Sequence, residues 1–186
     1  MANKIKYGLR NCYFAVATDD GNGVLTYSTP KPLKGAKTLS LDAQGESNPF
    51  YADDIIYFQS AANNGYSGTL ELALIPDDFL KDVLGETTST NGLQVEKANA
   101  ATVEFALLFE FQGDANATRH AMYRCTATRP QVGSATKEAS VDPQTETLNI
   151  TAMPRISDYI VKSKIGAATT GAYTTWFSAV VEPTFS

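Results

Sequence analysis

Asn63-Asn64-Gly65-Tyr66-Ser67-Gly68, then Thr69-Leu70-Glu71-Leu72-Ala73-Leu74-Ile75, then Pro76-Asp77-Asp78-Phe79-Leu80-Lys81-Asp82-Val83-Leu84-Gly85 run on without a break. They read as a turn, a strand and a helix. Side chains alternate sides along a strand, so Leu70, Leu72 and Leu74 are expected on one face and Thr69, Glu71 and Ala73 on the other. A proline costs nothing in the first turn of a helix, where its missing N–H has no partner to lose. Asp77 and Asp78 then place negative charge at the positive end of the helix dipole. Phe79, Leu80, Val83 and Leu84 make an apolar stripe at helical spacing, and Gly85 supplies the left-handed stop. A helix over about residues 76–84 with one apolar face needs a sheet to lie on.

The rest of the chain supplies the strands. Residues 11–18 carry Cys12, Phe14 and Val16 on one face, turn at Asp19-Asp20-Gly21-Asn22-Gly23, and return through residues 24–27 as a hairpin. Leu39 and Leu41 mark a strand over residues 36–41. Residues 104–112 are the strongest strand, with Phe105, Leu107, Phe109 and Phe111 sharing a face. Burying each is worth roughly 1.5–3 kcal/mol, which puts this strand at the centre of the core. Residues 119–128 alternate Ala121, Tyr123, Cys125 and Ala127 with His120, Met122, Arg124 and Thr126, so the histidine is expected on an exposed face. Residues 144–152 turn Leu148 and Ile150 inward. Glu146 shares their parity, which counts against a simple outward position. Residues 155–164 stay ambiguous, and residues 173–181 fit helix or strand equally. The fold class expected from the residues is mainly β with one flanking helix, in a single domain spanning residues 1–186.

Two segments stand apart. Residues 1–9 form an N-terminal arm, with Lys4 and Lys6 set among Ile5 and Tyr7. Residues 42–67 form a long excursion rich in aromatics: Phe50, Tyr51, Tyr57, Phe58 and Tyr66. Aromatic side chains anchor interfaces, so a short strand near residues 54–59 is expected within an excursion that also meets a partner.

With 186 residues, 43% hydrophobic and 19% charged, the chain can bury a core. Its net charge of −5, with no basic cluster, argues against a grip on nucleic acid. Cys12 and Cys125 each lie in a strand-like run and read as small buried thiols rather than as a disulfide. The lone His120 has no metal-ligating neighbours in sequence. The first residues lack the apolar core of a signal peptide, and no run is long enough to cross a bilayer. Nothing calls for a cofactor. Gly65-Tyr66-Ser67-Gly68 lacks nucleophile-elbow spacing. Asp53-Asp54 would point to opposite faces of a strand, so they make a poor glycosidase pair. An enzyme is not expected.

Several phrases, in order along the chain, resemble the major tail protein, or tail tube protein, of long-tailed bacteriophages and prophages of Gram-positive bacteria. They are Lys6-Tyr7-Gly8-Leu9-Arg10-Asn11, Phe50-Tyr51-Ala52-Asp53, Asn63 to Gly68, Ile75-Pro76-Asp77 with Phe79, Ala106 to Phe111, Ala117-Thr118-Arg119-His120, and Pro143 to Leu148. The resemblance implies a mainly β fold, a β-sandwich or barrel flanked by one helix, in a structural virion protein made in the host cytoplasm and built into the tail. Its implied partners are itself, as hexameric rings that stack into a tube, and other tail proteins at the tube ends. Genomic DNA would pass through without specific binding, and no membrane is involved. It also implies ring contacts through the arm (Lys4, Lys6, Tyr7) and the excursion (Tyr51, Tyr66), and Glu71 and Glu110 are candidates to line the lumen. The competing readings are a free-standing carbohydrate-binding β-sandwich, with Tyr51, Tyr57 and Tyr66 as a stacking platform, and a secretion-system tube protein.

Overall fold

The computed structural model describes residues 5–113, 116–136, 143–167 and 171–185. Its strands are β1 (Leu9–Asp19), β2 (Leu25–Tyr27), β3 (Lys31–Pro32), β4 (Ala36–Gln44), β5 (Ser47–Ala52), β6 (Ile55–Ala61), β7 (Gly65–Leu72), β8 (Thr87–Thr88), β9 (Gln94–Val95), β10 (Phe105–Phe111), β11 (Arg119–Ala127), β12 (Glu146–Ala152) and β13 (Lys162–Ile165). Helix α1 (Asp77–Asp82) follows β7, and a second short helix, α2 (Gly171–Thr175), lies near the C-terminus. The protein is mainly β. The second helix is additional to the one read from the sequence.

Nine strands join in the order β2-β1-β10-β11-β12-β7-β4, with β3 also on β1 and β13 also on β11. Every pairing is antiparallel. The sheet forks at β11: residues 119–122 pair with β13 and residues 125–127 with β12. The β12-β7-β4 ribbon thus departs from the β1-β10-β11 ribbon, and the main core lies between them. Phe14, Leu70, Leu72, Phe105, Leu107, Leu148 and Ile150 fill it, joined by Phe79 from α1 and by Val83 and Leu84 from the turn that follows it. Phe79 is fully buried. Its ring meets Phe14 edge-on at 5.0 Å and Phe105 edge-on at 5.2 Å. The helix is shorter than the 76–84 expected: it ends at Asp82 with Val83 as its cap, and Gly85, at φ 77°, redirects the chain after one further turn.

Two sequence expectations need correction here. Strand β7 stops at Leu72, so Leu74 is 68% exposed and Ile75, 2% exposed, takes the next core position. The Ile75 N–H is held by Glu146 Oε2 at 2.7 Å, which explains why that glutamate shares parity with core residues. His120 is not on an exposed face. It is half-buried and stacks on Phe109 at 5.2 Å with the rings 9° apart. The cause is a register shift between β10 and β11. A β-bulge of this kind reverses which side later residues face, so Met122 and Cys125 share the main core while Ala121 and Tyr123 do not. The two cysteines are free and buried, and burial pushes the Cys12 thiol up to about 12.

Strand β10 is buried on both faces. Its second face, where Leu108 lies beside Ala121 and Tyr123 of β11, is covered chiefly by Trp176, Phe177, Val180 and Val181. Polar bonds fasten this cover. Trp176 Nε1–H donates to the His120 carbonyl at 3.3 Å, and the Tyr123 hydroxyl donates to the Val181 carbonyl at 2.8 Å. Arg155 pairs with both Asp158 and Glu182 while its guanidinium sits 4.8 Å over the Tyr123 ring.

Replacing Phe79 by Ala is expected to cost about 3–5 kcal/mol, read by urea denaturation, because the site is enclosed by rings that cannot collapse. The Arg155 bond holds Asp158 below the usual aspartate range. A depressed carboxylate stabilises above its unfolded value and stops doing so as pH falls through its folded value. Stability is therefore expected to decline below about pH 4, and the decline should be shallower in Asp158→Asn.

Candidate assembly surface

Strands β4 and β7 pair from Ala36↔Leu72 out to Gln44↔Gly65, and the ribbon then continues past the edge of the body. Asn64 N–H bonds the Gln44 carbonyl at 2.8 Å and Ala62 N–H bonds the Glu46 carbonyl at 3.1 Å. Beyond this neck, β5 and β6 pair only with each other. At the neck a Cβ on Gly45 would lie 1.9 Å from the Ala62 carbonyl oxygen, so only glycine allows the two backbones to pass. The ribbon closes at Asp53-Asp54, both with positive φ (52° and 61°), as a two-residue hairpin turn requires. These two carboxylates sit at an exposed loop tip, not in a cleft.

The excursion expected over residues 42–67 is therefore a projecting hairpin. Its large side chains stand in water: Phe50, Tyr51, Ile55, Ile56, Tyr57 and Phe58 are all 53–72% exposed. An isolated two-stranded hairpin is marginal in water. Charged or short strands would be the usual protection for such an edge, and here apolar rings take their place.

The remaining candidate residues divide sharply. Lys4 lies outside the described residues. Lys6 is exposed and its Nζ sits 5.1 Å over the Phe111 ring. Tyr7 is 62% exposed, yet its backbone carbonyl accepts from Gly113 N–H at 2.9 Å. Its ring lies against Gly113 where any larger residue would collide. The arm is thus laid along the end of β10 from Lys6 onward. Tyr66 is half-buried at the base of the ribbon, packs against the main core and lies under the Lys162 ammonium at 4.4 Å. It belongs to the subunit interior more than to a contact surface, and it does not join Tyr51 and Tyr57 in one platform.

Of the two acids expected in the lumen, Glu110 does not fit. It is 2% exposed. Arg10 Nε and Asn11 Nδ2 donate to one of its oxygens at 2.7 and 2.6 Å, and Arg119 Nε donates to the other at 3.0 Å. Arg10, Glu110 and Arg119 stand side by side on β1, β10 and β11. Arg119 also stacks 3.8 Å from the Tyr173 ring, tying α2 to the sheet. A buried carboxylate in a strand covered on both faces has to be paired this way. Glu71 remains on the open face of β7, bonded to Lys37 at 2.7 Å and Thr145 at 2.5 Å. Lys37 beside it holds its carboxyl below the usual range.

Sequence reasoning missed the clamp around Glu110 and the C-terminal cover. Parity alone assigns Glu110 to the face opposite Phe109, and nothing local says that this face is also covered. Among the described residues no group of three His, Cys, Asp or Glu side chains converges as a metal site, and no helix is long and apolar enough to cross a membrane.

A β-protein whose most exposed apolar surface is a projecting hairpin is built for association. Comparison with known proteins names the association: a family profile described as phage tail tube protein matches residues 2–164, and the chain belongs to that family. It is a structural tail tube protein of a bacteriophage tail. No curated protein gives a significant match. Two solved structures from the anti-feeding prophage align loosely. One is of its tube-terminating cap (9% identity, 90% of this chain and 95% of that chain, TM-score 0.46). The other is of its six-fold symmetrised baseplate (11% identity, 91% and 99%, TM-score 0.46). Neither likeness adds to the family assignment.

Replacing Glu110 by Ala strands Arg119 against apolar rings and is expected to cost about 3–5 kcal/mol by chemical denaturation. A lumen-facing acid would give no loss of stability.

Proposed function

We propose that six copies of this chain close into a ring and that rings stack into the hollow tube through which the genome leaves the capsid. The subunit is one domain over residues 1–186, and its work is assembly and passage rather than catalysis. The observation that carries this reading is the family match over residues 2–164, joined to a hairpin that a lone subunit leaves unburied. Ring-to-ring contact falls to the two extended segments: the arm, with Lys4, Lys6 and Tyr7, and the hairpin, with Tyr51. The partners are other copies along the tube and other tail proteins at its ends.

The charge suits the task. At −5 per chain, six copies bring roughly −30 per ring before counterions. A wall of that sign repels phosphate, so DNA slides without sticking. Glu71 is the remaining acid proposed for the bore, with its charge partly matched by Lys37.

Purified protein is expected to grow with concentration into tubes visible by negative-stain microscopy. Deleting residues 2–7 should leave a folded subunit, judged by circular dichroism, that makes no tubes. Normal tubes from the deletion would remove the arm from the assembly. A monomer at every concentration, with a bound saccharide, would replace the tube reading with the carbohydrate module. A basic bore in an assembled ring would end the charge argument.

A further inference from the structure

The dipeptide Asn-Gly occurs three times in the chain, at Asn22-Gly23, Asn64-Gly65 and Asn91-Gly92. Glycine has no side chain to shield its backbone nitrogen or to limit its rotation. In this dipeptide the glycine nitrogen can therefore close on the asparagine side-chain carbonyl and expel ammonia. The three copies share that chemistry and differ in their settings.

Two settings hold the reaction back. Gly65 is buried and paired with Gln44 in the main sheet. A Cβ there would lie 2.0 Å from the Ala152 carbonyl oxygen, so the backbone has no room to swing. Gly23 is buried against Ile156, and its N–H donates to Asp19 Oδ1 at 3.0 Å. The Asn22 N–H donates to Asp20 Oδ1 at 2.8 Å. The attacking species is a glycine nitrogen that has lost its proton, and carboxylates beside it disfavour that negative charge.

Asn91-Gly92 differs at each of these points. Both residues are exposed, and no atom lies within 4 Å of where a Gly92 Cβ would stand. They lie in the turn between β8 and β9, two-residue strands that pair only with each other. So short a ribbon opens locally at little cost. The Gly92 N–H is held by a neutral bond alone, to the Ser89 carbonyl at 3.0 Å. The Ser89 hydroxyl donates to Asn91 Oδ1 at 2.5 Å. It also lies 3.0 Å from the Leu93 carbonyl, but that oxygen already accepts the Ser89 N–H at 2.8 Å. A donor on Oδ1 draws electron density from Cγ, the atom under attack, and steadies the oxyanion that forms there.

We propose that Asn91 is a site of spontaneous deamidation, selected by the fold over the other two. The Gly92 nitrogen, its proton lost to solvent base, bonds to Asn91 Cγ. The Cγ–Nδ2 bond breaks, and Nδ2 leaves as ammonia with a proton returned from water. The resulting succinimide ring is opened by a second water at either carbonyl, giving aspartate or isoaspartate. The net change is amide plus water to carboxylic acid plus ammonia, with nothing oxidised or reduced. Each copy that reacts carries one negative charge more than the −5 of the chain as made. The isoaspartyl product also lengthens the backbone by one carbon and displaces the turn. The site needs only the folded subunit, so it stands apart from the tube reading.

The test is a time course of the full chain in mildly alkaline buffer, followed by trypsin digestion and mass mapping. Residues 82–97 form one tryptic peptide in which Asn91 is the sole asparagine. In the folded chain, acid is expected at Asn91 at least about tenfold faster than at Asn22 or Asn64, a barrier difference of about 1.4 kcal/mol. In urea, where only the dipeptide remains, the three sites are expected to react at comparable rates. Ser89→Ala is expected to slow Asn91 about threefold or more, the worth of one modest hydrogen bond, and to leave the other two sites unchanged. Comparable rates at all three sites in the folded chain, or a faster Asn22 or Asn64, would overturn selection by the fold. An Asn91 that stays intact in the folded chain would overturn the proposal outright. An unchanged or faster Asn91 in S89A would overturn the part given to the hydroxyl.

Discussion

A strand buried on both faces sets the terms for this subunit. β10 places Phe105, Leu107 and Phe109 in the main core and Leu108 against Tyr123 and Trp176 behind it. No position along it can be left to water. A second apolar layer must exist, and residues 171–181 provide it. The one acid within the strand must be compensated where it stands, and Arg10 and Arg119 from the two flanking strands do so. The fork at β11 follows from the same demand. One half of the strand stays with the covered ribbon and the other leads into β12 and the hairpin ribbon.

This arrangement separates stability from association. The subunit's large buried side chains lie between the two ribbons, under α1 and beneath the C-terminal cover. The projecting hairpin adds nothing to that burial, since its rings are mostly exposed in the single chain. What it does need is the neck, where Gly45 lets two backbones cross and so fixes where the ribbon leaves the body.

Much of the fold was legible because local signals agreed with one another. The helix stripe of Phe79, Leu80, Val83 and Leu84, with its glycine stop, predicted a packed helix and its buried face. The alternation of Phe105, Leu107, Phe109 and Phe111 located the central strand. What parity could not supply was anything set by distant chain. His120 looked exposed until a bulge turned it onto Phe109. Leu74 looked buried until β7 ended one pair early. Glu110 looked like a surface acid because two of its partners in space, Arg10 and Asn11, are far away in sequence. At the assembly surface, the aromatic content of residues 42–67 pointed to contact. It took the burial pattern to show that Tyr66 is half-buried against the main core while Tyr51 stands in water.

The cover over Leu108 and Tyr123 has a bearing on the order of events in the infected cell. Trp176 and Val181 leave the ribosome well after β10 and β11, so a nascent chain that stalls short of them carries an open greasy face next to a finished hairpin. Burial of Leu108 and Tyr123 therefore waits on the C-terminal segment, and this face of the subunit is the last to close during synthesis.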